Sequence, residues 1–279
     1  MEEVLQNLIH TTTQTLGYHS NTEYCEKCGE KVFVEKELLG RVRKVPVICS
    51  CRKKELEEQK KREEALEKAN RLQRLKKYSL MDEKFSECTF ENWIAEEGDG
   101  KLYKLGINYC DRWQEVKKKN MGLLIWGKPG NGKSYLSFCI ANRLLESLVP
   151  VIAISSNGLL DKIKETYNYY GKEGEVEVIN SIKNASLLVL DDLGAENTTT
   201  WAKEKIYKII DSRYRDNKPL IITTNLTPKQ LKEKMIGEDG VARTYDRIIE
   251  MCQPVEVKGE SKRLKKASAK TKLLKELIN

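Results

Sequence analysis

The sequence has no hydrophobic run long enough to cross a lipid bilayer. Its longest apolar stretches, such as SLLVL at 186–190, fall far short of the roughly 20 residues that a membrane-spanning helix needs. The opening segment MEEVLQNLIHTTTQTLG also lacks the basic stretch followed by an apolar stretch that is typical of a secretory signal. We therefore expect a cytoplasmic protein without a membrane partner.

Charge, by contrast, is abundant. Of the 279 residues, 33% are charged and 39% hydrophobic, and 50 Lys and Arg against 42 Asp and Glu give a formal net charge of +8. A positive excess favours polyanionic partners such as nucleic acid, but a solvated lysine-rich surface gives the same balance. The length suits one large domain, or one domain with a smaller companion.

Disulfides are not expected, because the cytoplasm keeps thiols reduced. Four of the eight cysteines nevertheless cluster as a C-x2-C pair and a C-x-C pair: Cys25, Cys28, Cys49 and Cys51. Each pair adjoins a strand-like segment, as in zinc ribbons, where two thiolate pairs on hairpin-like knuckles bind one tetrahedral Zn²⁺. We predict a zinc site, since so small a segment cannot fold on a hydrophobic core alone. The C-x-C spacing departs from a standard ribbon, and a reduced segment without metal is the alternative.

The remaining cysteines and one histidine carry less information. His19 could substitute for a thiolate, although a set of four cysteines needs no histidine. The other four cysteines stand among apolar or aromatic neighbours, which is typical of small buried hydrophobic residues. They are Cys88, Cys110, Cys139 and Cys252.

The rest of the chain divides into a helical stretch and an alternating stretch. Residues 53–80 contain no Gly or Pro, and their Glu and Lys or Arg recur at helical spacing, which predicts a long exposed helix. After residue 81, apolar segments alternate with helical ones: GLLIWG, PVIAIS, SLLVLDD, PLIITTN and CQPVEV. Strands separated by helices predict an α/β fold, with a parallel sheet covered by helices on both faces.

The segment GKPGNGKS at 127–134 fits the pattern G-x-x-x-x-G-K-[ST]. An apolar strand precedes it and an amphipathic helix follows it, as a phosphate-binding P-loop requires. Gly127 and Gly132 would let backbone N–H groups converge on phosphate oxygens at the helix N-terminus. Lys133 would neutralise the β and γ phosphates of ATP, and Ser134 would hold Mg²⁺. The remaining predicted nucleotide contacts are Pro129, Gly130, Asn131 and Tyr135.

Polar residues at the ends of two later strands complete the predicted site. Asp191 ends the run SLLVL and is expected to hold Mg²⁺, and Asp192 is expected to polarise the attacking water. Asn225 ends PLIITT, where a polar group needs a role to offset its burial, and it could contact the γ phosphate. A helix cap at the acidic pair and an Asx-turn at Asn225 are the structural alternatives.

Several motifs together resemble a known family. GKPGNGKS, LLVLDDLGAE, SRYRDNKPLIITTNL and GESKR are similar to the AAA+ ATPases of the DnaC/DnaI-type helicase loaders, over about residues 85–265. IstB-like transposition helper ATPases share much of this pattern. The four-cysteine module resembles that of DnaI-type and phage-encoded loaders. The resemblance implies an AAA+ P-loop ATPase domain preceded by a small zinc-ribbon-like module and a long linker helix.

The resemblance also implies roles for two arginines. The segment GVARTYDRIIEMC would supply the finger that reaches a neighbouring subunit's γ phosphate, for which we select Arg247; Arg243 could lie on the same helix face. Arg263 matches the sensor 2 arginine, which touches phosphates within its own subunit. An ordinary surface arginine is the alternative for each.

A DNA-binding helix is implied at GLLDKIKETYNYYGKE. There Lys164 could contact phosphate and Tyr167 could stack on a base of single-stranded DNA, with Tyr169 and Tyr170 nearby. Packing of these aromatic rings onto the domain is the alternative. The strongly basic segment after Arg263 departs from many loaders, and it could bind DNA, bind a partner or be solvated.

These expectations combine into one functional hypothesis. ATP binding would assemble the protein into an open spiral or hexamer on a DnaB-type replicative helicase, which it would place on single-stranded DNA, and hydrolysis would drive release. The alternatives are a transposition helper ATPase that binds duplex DNA and a transposase, and a non-hydrolysing adaptor that hijacks or inhibits a helicase. The predicted organisation is a zinc-binding, helicase-interacting module over 1–52, a charged linker helix over 53–80, an AAA+ ATPase domain over 81–265 and a basic tail over 266–279.

Overall fold

A computed structural model describes most of the chain. The described residues are 11, 23–79, 81, 83–93, 100–169, 171–197, 199–259 and 261–278. The chain divides into two compact units, Met1–Asn70 and Arg71–Asn279. His19, Tyr170 and the side chain of Tyr169 lie outside what is described. Within the described part, no helix combines the length and apolar character needed to cross a membrane.

The first unit contains an antiparallel hairpin of β1 (Phe33–Leu38) and β2 (Arg41–Pro46), in which Leu38 pairs with Arg41. Leu39 and Gly40, the two residues of the turn, have φ values of 57° and 72°. Positive φ at both positions matches the right-handed twist of the paired strands. The first thiol pair precedes this hairpin and the second follows it.

The second thiol pair does not lie on a hairpin-like knuckle as predicted. Cys51 belongs to the first turn of helix α1 (Ser50–Tyr78), and Cys49 lies just before it. The carboxylate of Glu30 accepts hydrogen bonds from the backbone N–H and the hydroxyl of Ser50, each at 2.7 Å. Glu30 therefore satisfies a donor at the start of α1, and a helix replaces the expected knuckle.

The long helix α1 is mostly exposed, as its sequence predicts. Its 29 residues hold charged pairs one turn apart, such as Lys60 with Glu64 at 4.0 Å and Arg62 with Glu58 at 3.8 Å. Each such pair contributes only about 0.3–0.5 kcal/mol. The uninterrupted run of helix-forming residues therefore does more for this helix than any single pair.

The second unit contains the predicted parallel sheet. Its five strands lie in the order β4–β5–β6–β3–β7, and all neighbouring pairs are parallel. The strands are β3 (Gly122–Trp126), β4 (Val151–Ser155), β5 (Leu187–Asp191), β6 (Leu220–Thr224) and β7 (Cys252–Glu256). Every residue of β5 and β6 is buried, as expected for strands covered on both faces.

Helices cover both faces of this sheet. After α1 they are α2 (Glu83–Ser86), α3 (Gly100–Asp111), α4 (Trp113–Lys118), α5 (Lys133–Glu146), α6 (Ser156–Tyr169), α7 (Gly171–Asn184), α8 (Thr200–Arg215), α9 (Pro228–Lys234), α10 (Arg243–Met251) and α11 (Lys262–Ile278). Alternating side chains of β3 enter different cores. Leu123 and Ile125 pack in one cluster with Phe138 of α5, and Leu124 packs in the other with Ile206 of α8.

A buried arginine joins the amino-terminal sides of two strands. The Arg213 guanidinium donates to the carbonyl oxygens of Ile182 at 3.2 Å and Ala185 at 2.6 Å, before β5. It also donates to the carbonyls of Ser186 at 3.1 Å and Pro219 at 2.6 Å, the latter directly before β6. Burial lowers the pKa of Arg213 to about 10, so the group stays charged at neutral pH.

We expect Arg213→Met to destabilise the protein by at least about 3 kcal/mol, because it leaves several buried carbonyl oxygens without their donor. Urea denaturation followed by circular dichroism measures the change. The matched control is Arg215→Ala, which removes an exposed guanidinium from Asp211, leaves Asp211 paired with Arg247, and should cost less than about 1 kcal/mol. Equal losses for the two variants would contradict this account of Arg213.

Candidate nucleotide site and cysteine cluster

The GKPGNGKS loop joins the end of β3 to the start of α5. Gly127, Gly130 and Gly132 have φ values of 146°, 81° and 101°, which a residue without a Cβ adopts at little cost. A Cβ at Gly127 would lie 2.4 Å from the carbonyl oxygen of Val257, so larger residues are excluded there. The loop ends at the N-terminus of α5, where free N–H groups and the helix dipole favour phosphate.

Lys133 is buried on this loop. Its ammonium donates to the carbonyl oxygens of Gly127 and Lys128, both at 2.8 Å, and lies 3.2 Å from Oδ1 of Asn131. Asn131 in turn donates to the carbonyl of Val257 at 2.5 Å, which fixes the loop against the end of β7. Burial lowers the pKa of Lys133, and phosphate oxygens would be stronger acceptors for this cation than neutral carbonyls.

Asp191 ends β5 as a buried carboxylate. Its Oδ1 accepts a hydrogen bond from Oγ1 of Thr223 at 2.6 Å, and Ser134 also hydrogen-bonds to the carboxylate. Burial raises the pKa of Asp191, and these two hydrogen bonds oppose the rise. The Ser134 hydroxyl and the Asp191 carboxylate are hard oxygen donors of the kind that Mg²⁺ prefers, so the pair fits the predicted metal.

Asp192 lies beside this pair in an unusual backbone conformation. Its φ of 54° is left-handed, and its N–H donates to Oγ1 of Thr223 at 2.9 Å. Its carboxylate accepts a hydrogen bond from Nδ2 of Asn225 at 2.7 Å. The ends of β5 and β6 therefore bring both predicted acids together with Asn225, and Thr223 bonds to both acids.

Sequence reasoning missed Thr223 and a second polar pair. Glu196 is buried, and its carboxylate accepts from the N–H of Gly194 and the hydroxyl of Ser156, both at 2.8 Å. The Ser156 hydroxyl also lies 3.0 Å from the carbonyl oxygen of Asp192. Ser156 is the first residue of α6, so this helix contacts the loop that carries Asp192. The available sequence signals were weak: Glu196 lies five residues after Asp191, and Thr223 lies two residues before Asn225.

The segment before α11 approaches the P-loop from the other side. The N–H of Lys262 donates to the carbonyl oxygen of Gly130 at 2.9 Å, and a Cβ at Gly130 would lie 2.1 Å from Oγ of Ser261. Arg263 is exposed, and its charge contributes to lowering the pKa of Lys133. The structure therefore brings Arg263 to the candidate nucleotide site.

Two residues of the predicted nucleotide set lie further out. Pro129 is exposed at the tip of the loop. The Tyr135 hydroxyl lies 3.2 Å from the carbonyl oxygen of Thr89 and 3.0 Å from that of Asn92, and its ring centroid is 5.7 Å from that of Trp93. Burial raises the pKa of Tyr135 to about 12, so its hydroxyl acts as a donor at neutral pH. Tyr135 and Trp93 are thus neighbouring rings beside the start of α5.

Arg247, selected from the sequence as the finger, is held by its own subunit. Its Nε lies 2.7 Å from Oδ1 of Asp211, and its guanidinium carbon lies 5.1 and 5.5 Å from the ring centroids of Tyr207 and Tyr214. Only 22% of its side chain is exposed. Acid and rings together fix α10 on α8.

Arg243, one turn earlier on α10, points to a more open region. Its side chain is 55% exposed and pairs with the exposed carboxylate of Asp239. It also lines an open cavity of about 700 Å³, together with Thr200, Lys203 and Glu238. Of the two arginines, Arg243 is therefore the more accessible from solvent.

The two predicted DNA contacts are engaged within the domain. The Lys164 ammonium lies 5.2 Å from the ring centroid of Trp201. The Tyr167 hydroxyl donates to the carboxylate of Glu175, which also pairs with Lys205 at 2.6 Å. Tyr167 remains 38% exposed. These contacts correspond to the packing alternative, and DNA binding by this helix stays a prediction.

The four clustered cysteines of the first unit come together. Their sulfur atoms all lie within 4.8 Å of one another, with Cys25 3.4 Å and Cys49 3.3 Å from Cys51. A tetrahedral zinc with bonds of 2.3 Å needs sulfurs about 3.8 Å apart, so the set, completed by Cys28, fits Zn²⁺. Hydrogen bonds among the thiols, chiefly with Cys49, raise the pKa of Cys51, and a bound cation would act in the opposite direction.

The parallel sheet, the P-loop and the acidic strand end define the AAA+ P-loop fold. The chain belongs to the IstB-like ATP-binding protein family, whose model matches residues 53–270. It is 31% identical to the replicative helicase loader DnaC of Buchnera aphidicola subsp. Baizongia pistaciae over 183 residues, which are 65% of this chain and 71% of the relative.

Two further similarities concern DnaI. The replicative helicase loader DnaI of Bacillus subtilis is 24% identical over 260 residues, which cover 90% of this chain and 79% of that protein. A crystal structure of DnaI superposes with a TM-score of 0.52 at 26% identity, covering 65% of this chain and 93% of that one. The predicted AAA+ fold and the resemblance to DnaC/DnaI-type proteins are confirmed.

We expect Thr223→Val to raise about tenfold the Mg²⁺ concentration that half-maximal nucleotide binding requires. The change removes the donor to Asp191 and the acceptor for the Asp192 N–H. Without that donor, the pKa of the buried Asp191 carboxylate should rise further. Titrating Mg²⁺ against a fluorescent ATP analogue measures this effect. Thr223→Ser keeps the hydroxyl and is the control. Identical Mg²⁺ curves for the two variants would show that the Thr223 hydroxyl has no such role.

Proposed function

We propose that this protein is an ATP-dependent loader, which binds a hexameric DnaB-type replicative helicase and places it on single-stranded DNA. The observation that carries the proposal is the similarity to DnaI over 90% of the chain, because so long a match must extend into the cysteine-bearing unit. The assembled nucleotide site supports it independently. ATP binding would order an interface between subunits, and hydrolysis would dissolve it.

Hydrolysis is assigned to the residues gathered at the ends of β5 and β6. Ser134 and Asp191 would hold Mg²⁺, which neutralises phosphate charge, and Lys133 would stabilise the charge that develops on the γ phosphate. Asp192 would polarise the attacking water. Asn225, which already donates to Asp192, would orient that carboxylate and the water. Arg263 would contact the phosphates from the side of α11.

The finger supplied to a neighbouring subunit is reassigned from Arg247 to Arg243. Arg247 would have to leave Asp211 and two tyrosine rings before it could reach a phosphate on another subunit. Arg243 would exchange only an exposed ion pair with Asp239, which is worth less than about 1 kcal/mol. Exchanging a carboxylate for a phosphate keeps the arginine paired throughout.

Arg243→Ala should lower turnover in the assembled protein at least about 100-fold without changing nucleotide affinity of the isolated subunit, because a finger acts only across an interface. Arg247→Ala should mainly lower stability, by about 2 kcal/mol. Turnover, nucleotide binding and urea denaturation are measured for both variants.

A mixture of two different inactive variants supplies the control for the assignment of Arg243 as the finger. Subunits carrying Arg243→Ala retain a complete P-loop, and subunits carrying Lys133→Ala retain the finger, so a mixture should regain part of the activity. An active Arg243→Ala protein, together with an inactive but stable Arg247→Ala protein, would restore Arg247 as the finger.

Binding of single-stranded DNA is proposed for α6. Lys164 would exchange its contact with Trp201 for a phosphate, and Tyr167 would turn from Glu175 to a base. Ser156 at the start of the same helix contacts the Asp192 loop, so DNA held on α6 would act on the hydrolytic residues directly. Slow turnover that rises with DNA follows from this arrangement.

A second candidate is a transposition helper that binds duplex DNA and a transposase, and the match to the IstB-like family model favours it. That match begins at residue 53, after the last clustered cysteine. The four-cysteine unit, which we propose binds zinc and grips the helicase, therefore separates the two candidates. A non-hydrolysing adaptor is less consistent with the presence of Lys133, Asp191 and Asp192 together.

The test mixes the protein with a DnaB-type hexamer from the same source, with and without ATP and Mg²⁺, and measures complex mass by size exclusion with light scattering. We expect a multi-subunit complex that requires Zn²⁺, measured by atomic absorption. Cys25→Ser with Cys28→Ser should remove both the metal and the complex. Cys110→Ala, which alters a buried cysteine of the second unit, should retain both.

No complex under any nucleotide condition would reject helicase loading. Specific binding of duplex DNA by the same sample would then favour the transposition helper. A complex that survives the loss of zinc would retain the loader but remove the grip assigned to the cysteine unit.

A further inference from the structure

Helix α11 carries an exposed apolar stripe that the ATPase site does not use. Leu264, Leu274 and Ile278 are 72%, 55% and 74% exposed, although leucine and isoleucine are usually buried. Ala267 and Thr271, which lie between them in sequence, are exposed too. Single exposed apolar residues need no explanation, but a regular series along one helix does.

The spacing of the stripe is that of a coiled-coil seam. Leu264, Ala267, Thr271, Leu274 and Ile278 follow one another at intervals of three, four, three and four residues. This heptad pattern places the five residues along one side of a helix. The small residues in the middle would let a second helix approach closely, and the larger residues at each end would pack beside it.

The charge of α11 indicates what kind of helix fits. Its 17 residues, KRLKKASAKTKLLKELI, contain seven Lys or Arg and one Glu, a net charge of +6. A second copy of α11 would bring the same charge to the interface, and like charges at flanking positions oppose pairing. A partner rich in Glu or Asp beside its own apolar seam would be attracted at every turn.

Two other occupants suit the stripe less well. A lipid surface needs a broad apolar face, whereas this stripe has the small Ala267 and the polar Thr271 at its centre, and among the described side chains exposed Leu277 widens it at its C-terminal end alone. Duplex DNA needs only the cations, and it would leave Leu264, Leu274 and Ile278 in water. Of these three occupants, an amphipathic helix is the one that would contact both the basic side chains and the apolar seam.

We propose that α11 is a docking helix for an acidic amphipathic helix of a partner protein. The proposal does not depend on the identity of the helicase or on the role of the cysteine unit. The docking helix begins beside the nucleotide site, because the N–H of its first residue, Lys262, donates to Gly130 of the P-loop. A partner seated on α11 is therefore connected by one helix to the phosphate loop.

The probe is a fluorescein-labelled synthetic peptide of about 28 residues, with Ile and Leu at heptad positions a and d and Glu at e and g. Its binding to the full-length protein is measured by fluorescence anisotropy. We expect saturable one-to-one binding that weakens at least about tenfold in the double variant Leu264→Gln/Leu274→Gln. Leu273→Gln, outside the three–four spacing, removes an equivalent side chain and should change affinity less than about twofold.

Three results would overturn the proposal. One is the absence of peptide binding to the wild-type protein, and another is equal binding to wild type and the double variant, which would indicate charge attraction alone. The third is tighter, leucine-dependent binding of a 30-base-pair duplex or of phosphatidylserine vesicles, tested in parallel. Circular dichroism and the ATP affinity of each variant check that the fold and the nucleotide site are retained.

Discussion

The buried guanidinium of Arg213 holds together the part of the sheet on which the candidate nucleotide site depends. Its four carbonyl acceptors belong to the chain just before β5 and just before β6, so one side chain sets where both strands begin. Since the two strands are parallel and of equal length, their other ends are set as well. Those ends carry Asp191 and Thr223, which are within hydrogen-bonding distance. The positions of Asp191 and Thr223 at one edge of the sheet therefore depend on the hydrogen bonds of Arg213 at the opposite edge.

The features that can be predicted from the sequence are those whose signal lies within a short contiguous segment. Apolar runs identified the strands of the second unit, and the GKPGNGKS pattern located the P-loop, because each signal lies within one contiguous segment. Asp191 and Asn225 were accessible for the same reason, since each is a polar residue that ends an apolar run. The clustering of Cys25 and Cys51 followed from recurring motif spacing rather than from any knowledge of the packing.

The parts that escaped prediction depend on contacts between distant segments. Thr223 looks like an ordinary strand threonine until β5 lies beside it, and Glu196 gains its role only when α6 brings Ser156 near. Arg247 matched a family pattern, but Asp211 and the tyrosines that hold it lie more than 30 residues earlier in the chain. Likewise, the C-x-C spacing could not reveal that Glu30 starts a helix at Ser50. In each instance the deciding partner is set by tertiary packing.

The hydroxyl of Ser156 has one proton and two acceptors. It lies 2.8 Å from the Glu196 carboxylate and 3.0 Å from the carbonyl oxygen of Asp192, and it can donate fully to only one of them. A displacement of α6 by a fraction of an ångström is enough to change which acceptor receives the proton, because hydrogen-bond strength falls steeply with distance and angle. The serine hydroxyl thus lies between the Glu196 carboxylate and the backbone of Asp192 at the start of α6. One hydrogen bond therefore connects the start of α6 to the backbone of Asp192.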